Sequence, residues 1–163
     1  MIKKLGFTLI ELLVVIAIIG ILAALVLSNL QGARERARDA RRKNDLHAVS
    51  QSLRLYYNDN QGSPPSSTST YKIQGCGVSV CEWGSTFTDG GTVYMNRLPL
   101  DPSSSASNPI TYYYYSADTD QFALIATLEN QSDSEIADSQ ARCETALDGY
   151  TVTESTDYVV CAE

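Results

Sequence analysis

No lysine or arginine occurs between Lys4 and Arg34, no proline before Pro64, and no cysteine before Cys76. The chain has a single histidine, His47. With no Ser or Cys identifiable as its partner, it offers no nucleophile-and-base constellation. No glycine-rich phosphate loop is present either. After residue 60 only three Lys or Arg face fourteen Asp or Glu, a net charge of −11. That excess of acid opposes contact with nucleic-acid phosphates. The four cysteines do not fall into paired C-x-x-C spacings, which argues against zinc. These absences leave little room for an enzyme and turn attention to the N-terminus.

There, a short basic leader, Lys3-Lys4-Leu5-Gly6, gives way to an apolar run over residues 7–30. Its 24 residues would extend about 36 Å as a helix, enough to cross a bilayer core of about 30 Å. One charge lies inside it, Glu11. A carboxylate at that depth costs several kcal/mol unless it is paired, and the run itself holds no cation. An amine created by cutting after Gly6 on a neighbouring copy would supply one. No A-x-A site follows the run, which disfavours an ordinary secretory signal peptide. A plain anchor explains neither Gly6 at the boundary nor Glu11 inside.

The stretch Lys3-Lys4-Leu5-Gly6, Phe7-Thr8-Leu9-Ile10-Glu11 and the apolar residues to Ala24 resemble the class III signal of type IV pilins and type II secretion pseudopilins. The resemblance implies cleavage between Gly6 and Phe7, N-methylation of Phe7, and pairing of Glu11 with the amine of an adjacent subunit during assembly. It implies the pilin fold, a long N-terminal helical spine on a small antiparallel sheet, in the α+β class. The expected function is the major pilin of a type IV pilus. A minor pilin or type II secretion pseudopilin is the alternative within the family. A membrane-anchored binding protein that does not polymerise is the alternative of another class. The implied partners are further copies of the chain, a prepilin peptidase, an assembly platform, minor pilins and, before assembly, the membrane. No cofactor is implied. The precursor is expected as a single-pass protein of the inner membrane, and the product as an extracellular filament.

Residues 31–57 lack proline and are rich in good helix formers, so the helix is expected to continue through residue 58. Leu46, Val49, Leu53 and Tyr56 recur at helical spacing as the stripe a sheet would cover. The resulting organisation is a leader over 1–6, a membrane and filament-core helix over 7–30, its amphipathic continuation over 31–60, and a head over 61–163. Six cations crowd residues 33–43. They read either as a solvated helix face, partly balanced by Glu35, Asp39 and Asp45, or as a contact for lipid head groups. A loop is expected from residue 59 to about Thr92, with Trp83 packing it on the head. Strands are expected over residues 111–116, 121–128 and 157–161, the first two as a hairpin turning at residues 117–120. Asp118 and Asp120 are too few for a calcium site. Four cysteines outside the membrane favour disulfides. Cys76 with Cys81 and Cys143 with Cys161 is the most economical of three connectivities.

Overall fold

In a computed structural model, residues 9–59 form one helix, α1 (Leu9–Asp59), unbroken at Gly20 and Gly32. The structure describes residues 8–60, 65–67, 70–76, 79–116, 121–147 and 155–162. The leader, Gly6, Phe7 and the turn with Asp118 and Asp120 lie outside the described residues. The chain divides into two units, Met1–Arg36 and Ala37–Glu163. In the first, α1 presents apolar side chains on every side, from Leu9, 80% exposed, to Leu30, 38% exposed.

The second unit is an α+β head. Leu46, Val49 and Leu53 of α1 are fully buried, on the stripe that the sequence marks out. They pack against a three-stranded antiparallel sheet of β5 (Tyr113–Tyr115), β6 (Ala123–Thr127) and β7 (Asp157–Cys161), with β6 in the middle. Register pairs Tyr114 with Leu124 and Leu124 with Val160. The sheet is covered on both faces. Tyr114, Leu124, Ala126, Tyr158 and Val160 belong to the α1 core. Ala123, Ile125 and Val159 pack with Cys143, Ala146 and Leu147. Two-sided burial is why residues 122–126 read as a nearly continuous apolar run instead of alternating with polar residues. Tyr112 and Tyr114 are buried, whereas Tyr113 is exposed, as the period of two along a strand requires.

Before this sheet, β1 (Gln74–Cys76) pairs with β2 (Ser79–Val80), and β3 (Phe87–Asp89) with β4 (Thr92–Met95). The region expected as loop to Thr92 is therefore partly strand. Gly90 and Gly91 supply positive φ at both turn positions of the second hairpin, 55° and 88°. A two-residue turn of that handedness matches the twist of antiparallel strands and favours glycine. Trp83 is buried against Tyr112, ring centroids 5.4 Å apart at 81°.

Helix α2 (Glu135–Arg142) lies between the second and third strands that the sequence marks out. It covers the free edge of β7. Ser139 Oγ accepts from the Val159 N–H at 3.1 Å, and Gln140 Nε2 donates to the Asp157 carbonyl at 2.7 Å. Capping an edge in this way removes a template for strand addition by another chain. Disulfides join Cys76 to Cys81 and Cys143 to Cys161. The second ties the C-cap of α2 to the last residue of β7. A loop of that length stabilises a fold by about 3 kcal/mol in the chain-entropy account.

Candidate assembly interface

The first unit begins with a reciprocal cap. The Thr8 N–H and hydroxyl donate to Glu11 Oε2 at 2.8 and 2.6 Å, and the Glu11 N–H donates to Thr8 Oγ at 3.4 Å. The Leu12 N–H donates to the Thr8 carbonyl at 3.3 Å, which opens the helical ladder. Thr8-Leu9-Ile10-Glu11 is thus a capping box, in which a Thr and a Glu three residues on satisfy donors that a helix start leaves orphaned. The negative charge also sits where the helix dipole favours it. The pattern is plain in the sequence, yet attention to the charge alone overlooks it. All three bonds use Oε2 or the threonine oxygen. Among the described residues Glu11 Oε1 has no partner and remains open to a cation.

From this cap to Leu30, Glu11 is the sole charge among the described residues. The helix is long and apolar enough to cross a membrane, judged by length and composition. A helix apolar all round is stable only in lipid or buried among protein. Shallow apolar grooves line it, one formed by Ile10, Glu11, Val14 and Val15, another by Ile19, Leu22, Ala23 and Leu27. Glu11 lines the first through apolar atoms, while its carboxylate is turned to Thr8 at the helix start.

In the second unit α1 is held by a buried ion network. Arg42, 2% exposed, donates from Nε to Asp101 Oδ2 at 2.7 Å and from Nη2 to Asp101 Oδ1 at 3.0 Å. Its Nη1 reaches Asp39 at 2.6 Å and Glu129 at 2.8 Å, and its Nη2 donates to Ser103 Oγ at 2.9 Å. Asp39 accepts the backbone N–H groups of Glu129 and Asn130 at 3.0 and 2.8 Å. Arg38 clamps Glu129 with both a 2.7 Å bond from Nε and an Nη2 contact. Lys43 pairs with Asp133 at 2.7 Å and with Glu135 at 3.1 Å. Burial lowers the pKa of the Arg42 guanidinium, but its contacts with Asp101, Glu129 and Asp39 outweigh that and raise it.

The basic run at residues 33–43 is therefore neither a uniformly solvated face nor a uniform lipid contact. Arg38, Arg42 and Lys43 spend their charge inside the head, Asp39 is buried, and Arg34, Arg36 and Arg41 stay exposed. Sequence reasoning misses this because the partners lie 59 to 91 residues away. His47 is exposed, 3.4 Å from the Tyr158 hydroxyl. Among the described residues no group of acidic, His or Cys side chains could hold a metal.

The network predicts acid lability. The Arg38 guanidinium, helped by Arg42 and Ser103 and opposed by burial, holds the Glu129 carboxyl at about 2, below its ordinary 4.5. A carboxylate with a depressed folded-state pKa stabilises fully above its unfolded value and loses that contribution as pH falls through the folded one. Stability should drop between about pH 4.5 and 2, by on the order of 2 kcal/mol from this group. Urea unfolding across that range measures it. In Glu129→Gln the drop should shrink, and an unchanged pH profile would show that this carboxylate is not linked to folding.

The prokaryotic N-terminal methylation motif matches residues 1–27. The chain is 38% identical over 100 residues to type II secretion system core protein G of Aeromonas hydrophila, covering 61% of this chain and 68% of that protein. Against the protein of the same name from Escherichia coli K12 it is 35% identical, over 61% and 67% of the two chains. Against that of Pseudomonas aeruginosa it is 33% identical, over 66% and 71%. A match of 100 residues cannot fit within the 51 residues of α1, so the likeness takes in part of the head. No solved structure gives a significant match.

Proposed function

Because the chain belongs to the family of type II secretion system core protein G, within the pilins and pseudopilins, we propose that it is a pseudopilin, a structural subunit that polymerises through α1 in a secretion system. One observation carries the proposal. The capped start of α1, apolar but for Thr8 and Glu11, leaves one Glu11 carboxylate oxygen without a partner among the described residues, in a segment that also carries an apolar groove. That is the surface a helix needs if it is to pass from lipid to packing against copies of itself.

The resemblance at the N-terminus alone gives a major pilin as the expected function. The relatives support the pseudopilin alternative better. Pilins and pseudopilins share the signal at residues 3–24, so that stretch cannot separate them, whereas the match reaches into the head. In this reading residues 1–6 are removed by a prepilin peptidase after Gly6, and Phe7 becomes the methylated N-terminus. Residues 7–30 then form the membrane span and later the polymer core. Residues 31–60 carry the head formed by 61–163, and an assembly platform and minor subunits complete the machine.

Deleting the gene separates the readings. A pseudopilin predicts at least tenfold less of the host's exported proteins in the medium, with surface pili unchanged in number. Loss of pili with secretion intact would identify a major pilin instead. Loss of neither would leave a membrane-anchored protein that does not polymerise.

A further inference from the structure

We propose that Arg34 and Arg36 grip the phosphate groups of anionic phospholipids and fix the depth at which the subunit waits in the membrane. This rests on the membrane-held precursor of the preceding reading. Both side chains are exposed and belong to the first unit. Neither holds an ion pair among the described residues, whereas Arg38, Arg42 and Lys43 are all committed to carboxylates of the head.

Depth is the first argument. Leu30 is the last apolar residue of the span. Arg34 and Arg36 follow it by four and six residues, roughly 6 and 9 Å further along the helix. A bilayer core of about 30 Å is flanked by head-group layers of roughly 5–8 Å on each side. An arginine side chain at either position reaches that layer. The guanidinium presents a planar fork of donors that matches phosphate oxygens two at a time.

Azimuth is the second. Two residues along a helix are separated by about 200°, so Arg34 and Arg36 leave α1 on nearly opposite sides. A single protein partner covers one side of a helix. Lipid head groups surround it and can meet both arginines at once. Of the six cations at residues 33–43, three are paired with carboxylates of the folded head, which leaves fewer to meet lipid.

The test reconstitutes the full chain in phosphatidylcholine bilayers containing a trace of spin-labelled phosphatidylglycerol or spin-labelled phosphatidylcholine. Electron paramagnetic resonance then gives the fraction of each lipid immobilised by the protein. The wild type should prefer the anionic lipid on the order of fivefold. Arg34→Gln/Arg36→Gln should lower that ratio at least twofold, with immobilised phosphatidylcholine unchanged; the remainder comes from Lys3, Lys4 and Arg41. Arg54→Gln, at another exposed arginine well beyond the span, should leave the preference intact. No preference in the wild type, or one that the double variant leaves undiminished, overturns the proposal. So does a double variant that keeps the lipid preference but no longer polymerises, because the arginines would then serve a neighbouring copy. If neither lipid is immobilised by the wild type, the chain does not sit in the bilayer, and the membrane reading falls together with the proposal.

Discussion

Arg42→Met should destabilise the head by about 3–5 kcal/mol, the range seen when one partner of a buried ion network is removed. Arg42 is 2% exposed and binds Asp39, Asp101, Glu129 and Ser103 at once. Methionine fills the volume but leaves the buried carboxylates of Asp39 and Asp101 without their cation. Asp39 keeps two backbone donors and Asp101 keeps the Ser103 N–H, so hydrogen bonding survives in part. The charge does not find a replacement. Single domains are stable by only about 5–15 kcal/mol, so this loss is a large share of the whole. Arg42→Lys should rescue little, since a compact ammonium cannot reproduce a two-pronged grip on Asp101 and still reach Asp39 and Glu129. Arg41→Met is the control. Arg41 is exposed, its contact to Asp45 is 3.8 Å, and such pairs contribute about 0–1 kcal/mol. Urea unfolding of the purified chain in detergent reads all three. A change below about 1 kcal/mol for Arg42→Met would show that the network does not hold the head to α1.

The helix and the central sheet were legible because each rests on a local pattern. A proline-free stretch with Leu46, Val49 and Leu53 on one face announces α1, and the tyrosine run and residues 121–128 announce two strands. The hairpin at residues 87–95 was legible too, through Asp89-Gly90-Gly91-Thr92, but a loop expectation carried across it hides the turn signal. Helix α2 was harder. Five of its eight residues, Glu135, Ala137, Gln140, Ala141 and Arg142, are good helix formers, but a segment of two turns with Ile136 as its one large apolar side chain is too short to announce itself. Its position on the edge of β7 decides its structure. The buried charges were not legible at all. Asp39 and Arg42 have the composition of a solvated helix face, and only tertiary contacts with residues beyond 100 turn them inward.

Glu11→Ala should abolish polymerisation while sparing insertion and head folding. The substitution makes the span more apolar, so insertion should persist or improve. The head, from Ala37 onward, is a separate unit and should unfold at the same denaturant concentration. Two roles of the side chain are then to be told apart. As half of a capping box it contributes about 0.5–2 kcal/mol to the helix start. As a charge paired in a dry site with a neighbour's amine it matters more, since an unpaired buried charge costs about 3–5 kcal/mol. Glu11→Gln discriminates between them, because a carboxamide oxygen can still accept from Thr8 but carries no charge. Fibres should fall at least tenfold in both variants, with processed subunit accumulating in the membrane. Near-normal fibres from Glu11→Gln alone would assign the requirement to the cap.

The central claim is that a processed form of this chain is the repeating unit of a polymer held together by α1. Mass spectrometry of the subunit recovered from envelope-bound fibres, separated from any surface pili of the host, tests it most directly. The expected result is that this chain dominates the fibres and begins at a methylated Phe7. Fibres lacking the chain, or a chain that begins at Met1 or beyond residue 24, would contradict it.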